Sequence, residues 1–170
     1  AIALGVSSNA SGVNAIAIGT NASSTNNGSL AIGGGSTASA QNATAIGFGS
    51  SSNGVNAIAI GAGSSANFAN SFVLGAGATA NGVGAGAIGY RAYSNSADAM
   101  AIGVQANASG NSAFALGTGA TASNTSASAF GVNAAASGIN AIAVGTNASS
   151  SGTNALAFGA FATATQTNSF

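Results

Sequence analysis

The stretch Asn14-Ala15-Ile16-Ala17-Ile18-Gly19 decides the fold, because it comes back. It returns as Asn56-Ala57-Ile58-Ala59-Ile60-Gly61, as Asn140-Ala141-Ile142-Ala143-Val144-Gly145 and as Asn154-Ala155-Leu156-Ala157-Phe158-Gly159. Its closing glycine anchors a repeat. Glycines 5, 19, 33, 47, 61, 75, 89, 103, 117, 131, 145 and 159 lie 14 residues apart without insertion or deletion, which makes twelve repeats. A fixed period of this kind is the signature of a solenoid.

Counting from the anchor glycine as position 0, position −1 is always large and apolar (Leu4, Ile18, Ile32 and onward). Position −3 is mostly so, with Thr44, Gly86 and Ser128 as exceptions. Position −2 is Ala except at Val73, and position −4 is Ala or Ser throughout. Large and small residues alternate with period two, which is strand geometry. After the glycine the pattern changes. Positions +3 and +5 are always Ala or Ser, and +4 and +6 are mostly Asn, Ser and Thr. This predicts a second short strand with a small buried face and a polar wet face. Gly12, Gly54, Gly82, Gly110, Gly138 and Gly152 fill position +7, and Asn is frequent at −5. Both residue types tolerate left-handed backbone, so these columns are expected at corners.

Each repeat is then one coil, paired in parallel with its neighbours. At about 4.8 Å per coil, twelve coils would stack to roughly 55–60 Å. We expect the large residues at −3 and −1 to fill the roll against the small ones at +3 and +5, as large and small alternate in packed cores. That arrangement leaves small apolar columns at −4 and −2 facing outward. The inverse, with Ala inside and Ile outside, leaves a still more apolar exterior. A long uncharged apolar face calls for a cover, so both arrangements predict self-association.

Composition excludes much. The chain has one cation, Arg91, one anion, Asp98, and no His, Cys, Pro or Trp. A zinc site, a paired-carboxylate glycosidase and a Ser-His-Asp triad all lack their parts. One Arg is not a nucleic-acid footprint. An enzyme, a cofactor and a metal are therefore not expected. No signal peptide and no apolar run of about 18 residues occurs, so any export or anchoring segment is expected outside these residues. Ala1 starts inside a repeat and Ser169-Phe170 begin another. Residues 1–170 are accordingly read as one continuous domain cut from a longer array.

These motifs resemble the head repeat of the trimeric autotransporter adhesins, the YadA-like head, whose pattern runs roughly Asn-Ser-Val-Ala-Ile-Gly, two variable residues, Ser, then small residues and Gly. Asn14 to Gly19 with Ala22 and Gly28, Asn56 to Gly61 with Ser64, and Asn140 to Gly145 with Ala148 and Gly152 carry the resemblance. Ser29-Leu30-Ala31-Ile32-Gly33 and Ser71-Phe72-Val73-Leu74-Gly75 have the Ser of the family form. The resemblance implies an all-β, left-handed parallel β-roll of twelve coils, three chains around one axis, and display on a Gram-negative outer membrane. It implies a head that contacts host matrix (collagen, laminin or fibronectin), cells or other bacteria. Neck, stalk and C-terminal membrane anchor do not occur in these residues. The residues carried over as the adhesion motif are Asn14, Ile16, Ile18, Gly19, Asn56, Ile58, Ile60, Gly61, Asn140, Ile142, Val144 and Gly145.

Tyr90-Arg91-Ala92-Tyr93 is the sharpest break in the repeat. It reads either as a contact patch, since Tyr and Arg are enriched at hot spots, or as a surface ion pair between Arg91 and Asp98 with packed aromatics. Phe48, Phe68 and Phe161 likewise replace small or polar residues, for ligand contact or chain-to-chain packing. Asn-x-Ser/Thr triplets such as Asn9-Ala10-Ser11 match a glycosylation acceptor but arise readily in this composition. Two other functions compete with adhesion: a structural spacer, and an ice-binding solenoid, for which the +4 column is too irregular in Thr.

Overall fold

The computed structural model describes residues 1–170. Two compact units emerge, Ala1–Ala85 and Gly86–Phe170. The first contains the three-residue strands Ile2–Leu4, Ile16–Ile18, Leu30–Ile32, Thr44–Ile46, Ile58–Ile60 and Phe72–Leu74. They pair in parallel in that order, each residue opposite the one 14 positions on, as in Ala17↔Ala31. The two-residue strands Asn9–Ala10, Ser23–Ser24, Thr37–Ala38, Ser51–Ser52, Ser65–Ala66 and Thr79–Ala80 form a second parallel sheet. The second unit repeats the plan with Gly86–Ile88, Met100–Ile102, Phe114–Leu116, Ser128–Phe130, Ile142–Val144 and Leu156–Phe158. Its short strands are Tyr93–Ser94, Asn107–Ala108, Thr121–Ala122, Ala135–Ala136, Ser149–Ser150 and Thr163–Ala164. The chain is thus an all-β parallel solenoid of twelve coils, with no helix.

Two tight turns close every coil. The Ala22 amide donates to the Gly19 carbonyl at 3.1 Å, and the Ala15 amide to the Gly12 carbonyl at 3.1 Å. The third residue of each turn has positive φ, for example Asn21 at 58° and Asn14 at 59°. Positive φ there marks a type II turn, which favours Gly and Asn. The turns stack as well: the Asn21 amide donates to the Val6 carbonyl of the coil before it at 2.9 Å. Since the two turns fall seven residues apart, each coil is a pair of similar half-coils.

The interior overturns the expected packing. Ala15, Ala17 and Ala22 are fully buried, while Ile16 and Ile18 point outward and are only half-buried. Throughout, the core consists of the columns at −4, −2, +3 and +5: Ala, Ser and the single Val73. The cause is the turns. Reversing the chain in four residues sets the two sheets of a coil closer than the roughly 10 Å usual for stacked sheets, and only side chains of Ala or Ser size fit between them. The large residues at −3 and −1 are excluded to the outer face. Buried serines are satisfied locally, as buried hydroxyls must be: Ser52 Oγ donates to the Ala57 carbonyl at 2.9 Å and Ser36 Oγ to the Gly33 carbonyl at 2.8 Å.

The corner assignments divide. Asn at −5 does take left-handed backbone, from Asn14 to Asn168. Gly12, Gly54, Gly110, Gly138 and Gly152 at +7 do not have positive φ. They mark close approach instead: a Cβ on Gly54 would lie 2.0 Å from the Phe68 carbonyl oxygen of the next coil. The anchor glycine combines both demands. Gly61 has φ 134°, and its Cβ would lie 2.5 Å from the Gly75 carbonyl oxygen.

Candidate functional site

With the core that small, the chemistry lies on two outer faces and two turn edges. The outer face of the three-residue sheet is apolar. In the first unit it carries Ile2, Leu4, Ile16, Ile18, Leu30, Ile32, Ile46, Ile58, Ile60, Phe72 and Leu74. Several are well exposed, Leu4 at 64% and Leu74 at 51%. In the second unit Phe114 and Phe130 stack on the same face with ring centroids 5.5 Å apart, and Phe158 is 76% exposed. No helix or loop lies over either stretch, because the chain holds only strands and turns.

The outer face of the two-residue sheet is polar. Ser23, Thr37, Ser51, Ser65 and Thr79 line it in the first unit. Beside them runs an amide ladder in which Asn53 Nδ2 donates to Asn67 Oδ1 at 3.1 Å and Asn67 Nδ2 to Asn81 Oδ1 at 2.7 Å. A second ladder runs along the −5 corner, Asn42 to Asn56 at 3.1 Å and Asn140 to Asn154 at 3.0 Å. Such ladders satisfy stacked amides with one another. Thr37 and Thr79 stand three coils apart, as do Thr121 and Thr163, so no continuous Thr array forms.

The residues of the repeat motif do not converge on one spot. Ile16, Ile18, Ile58, Ile60, Ile142 and Val144 belong to the apolar face. Asn14, Asn56 and Asn140 sit at one turn, and Gly19, Gly61 and Gly145 open the other. Tyr90 and Arg91 occupy the middle of a turn, while Tyr93 projects from the polar face. Arg91 Cζ lies 5.2 Å from the Tyr90 ring centroid. The expected ion pair with Asp98 does not form, since Arg91 and Asp98 occupy equivalent positions of opposite turns, with φ 54° and 55°. Phe48 and Phe161 are turn residues, 76% and 72% exposed, and Phe68, also at a turn, is 47% exposed. The second left-handed corner, at +2, was readable from its column, which holds Gly or Asn at eight of twelve positions, with Ser7, Arg91, Gln105 and Phe161 at the rest.

Fourteen-residue coils, an alanine core and one apolar outer face define a class: narrow parallel β-solenoids whose large side chains point away from the chain's own interior. Within that class the family is shown by sequence. The model of the YadA head domain repeat (2 copies) matches residues 1–22, 24–50, 52–78, 94–120, 122–148 and 150–170, and the chain belongs to that family. Among solved structures it is similar to the crystal structure of the collagen-binding domain of Yersinia adhesin YadA. The identity is 23% over 95% of this chain and 66% of that one, with a TM-score of 0.41. No curated protein matches the chain.

Proposed function

We propose that this chain is the head of a surface adhesin that works as a homotrimer and binds a matrix protein of the collagen type. The observation that carries the reading is the division of the two outer faces, within a chain of the YadA head family. Fully burying an Ile or Leu side chain is worth about 1.5–3 kcal/mol, so a face carrying two such residues in most coils is a strong drive to associate. Three copies that turn their three-residue sheets toward a common axis cover that face. The polar sheets and the turns then look outward, on a Gram-negative outer membrane, with attachment supplied by other segments of the protein.

Binding in this arrangement is multivalent. Each coil offers a shallow site of hydroxyls and amides, and many similar coils on three chains let avidity replace single-site affinity. The near absence of charge leaves little for long-range electrostatic capture. The role is one of binding and display, for which the family and the fold both speak.

The test has two readouts. Light scattering over a dilution series is expected to give three times the 15.4 kDa chain mass. Surface plasmon resonance on immobilised collagen is expected to give slow dissociation that accelerates when the trimer is disrupted. A stable trimer inert to collagen, laminin and fibronectin would overturn the adhesin reading in favour of a spacer. A stable folded monomer would overturn the assembly.

A further inference from the structure

One coil of the second unit departs from the rest in its chemistry. Both tyrosines of the chain and its only cation fall within Tyr90–Tyr93. Tyr90 is 50% exposed and Tyr93 is 37% exposed. The Arg91 side chain rests over the Tyr90 ring and has no hydrogen-bond or carboxylate partner. Its guanidinium is therefore oriented by a cation–π contact while its five N–H donors stay open. Tyr93 Oη donates to Asn95 Oδ1 at 3.0 Å, which fixes that ring on the polar face. Asn107, in register with Tyr93 on the next coil, is unlike the ladder asparagines: its side chain makes no hydrogen bond and its Oδ1 is buried without a partner. Gln105 stands next to it at the turn, exposed.

We propose that Tyr90, Arg91, Tyr93, Gln105 and Asn107 form a binding site for a saccharide bearing a single negative charge, a terminal sugar carboxylate. The roles follow from the groups. Arg91 takes the carboxylate in a bidentate pair, the geometry for which a planar guanidinium is suited. The Tyr90 and Tyr93 rings offer apolar faces against which a sugar ring packs. Gln105 supplies an exposed amide for the hydroxyls, and Asn107, whose Oδ1 is buried, offers its Nδ2 as a donor. A densely charged polymer is not favoured, since no second cation lies anywhere on the chain. A protein hot spot would need a central, desolvated pocket; these side chains stand on an exposed turn and a polar face. The site adds a local contact to the adhesin reading and does not depend on it.

The repeat itself supplies the test variants. Gln stands at the position of Arg91 in the next coil, and Thr at the positions of Tyr90 and Tyr93 in others, as Thr118 and Thr121 show. R91Q, Y90T and Y93T therefore leave the coil intact, which circular dichroism checks. The probe is an immobilised oligosaccharide ending in a carboxylate sugar, beside its neutral reduced analogue and a sulfated oligosaccharide, with collagen run in parallel. R91Q removes the charge-assisted bidentate contact to the carboxylate, so it is expected to weaken binding to the carboxylate probe by roughly tenfold or more. Collagen binding should be unchanged. Equal binding of the neutral analogue, preference for the sulfated probe, no effect of R91Q, or loss of collagen binding in R91Q would each overturn the site. The last would assign the patch to a protein contact. Loss of collagen binding by the unmodified protein alone would instead count against the proposed function.

Discussion

The two sides of one short strand differ more than the two sheets do. Along Ile58–Ile60 the middle residue, Ala59, is fully buried inside the coil, while Ile58 and Ile60 look outward. An ordinary globular sheet puts its large residues on the core side. Here the chain's own interior takes methyl groups, and the bulk is reserved for the opposite side. The lesson is that size follows the distance to the partner. Two sheets tied by four-residue turns have no room for Ile, whereas a face awaiting another chain has.

Overfilling the inner side should give the largest effect. Ala59→Leu adds bulk to a column in which Val73 is the only larger residue. Overpacking costs typically 1–3 kcal/mol, occasionally more, and the in-register neighbours Ala45 and Val73 are already buried. Thermal unfolding followed by circular dichroism should show a marked fall in Tm or loss of the cooperative transition. An unchanged Tm would mean the sheets can part, and the size argument would fail. Next comes the anchor. Gly61→Ala meets both the positive φ and the Gly75 carbonyl, so about 1–3 kcal/mol is expected from strain of this kind, read by the same melts.

The outer side should respond in assembly rather than in fold. Ile58→Asp together with Ile60→Asp leaves the small core of the coil untouched and places two carboxylates on the apolar face. The strand signal in circular dichroism should persist while the light-scattering mass falls toward that of one chain. Retention of the full assembly mass would show that this face is not the one covered. The smallest effect is expected at Ser52→Ala. The Ala57 carbonyl that accepts from Ser52 Oγ also accepts the Thr44 amide, at 2.9 Å. Ala66 fills the same position one coil on. A change of stability within about 1 kcal/mol is expected, and a larger loss would give the buried hydroxyls a role beyond filling space.

Much of this was legible in the residues, and the failures are physical. The anchor glycines fixed the period, and alternation fixed which residues share a side. Alternation alone gives only parity, however. Which of Ala17 and Ile18 faces inward depends on how tightly the chain turns after Gly19. The clue was present: the small columns at +3 and +5 recur seven residues on at −4 and −2, which implies two equivalent half-coils with one shared small interior. The asparagine corner was visible because Asn repeats there. The opposite corner carried a similar mark, Gly or Asn in eight of twelve coils; only at Ser7, Arg91, Gln105 and Phe161, with φ near 54–59°, does the residue type fail to announce it. For the same reason Arg91 and Asp98 looked like partners in sequence and stand on opposite edges in space.

The constant register has one more consequence. Within each unit, every paired residue stands opposite the one a full coil away, and the ladder asparagines follow the same rule. Adding or removing the coding sequence for whole coils leaves all remaining partners in step, whereas a change that is not a multiple of 14 shifts every later residue out of register. Stability in such arrays is close to a sum of coil and neighbour contributions. Recombination between coils can therefore lengthen, shorten or shuffle the molecule as interchangeable segments, and one altered coil such as Tyr90–Tyr93 can be gained or moved without redesign of the others.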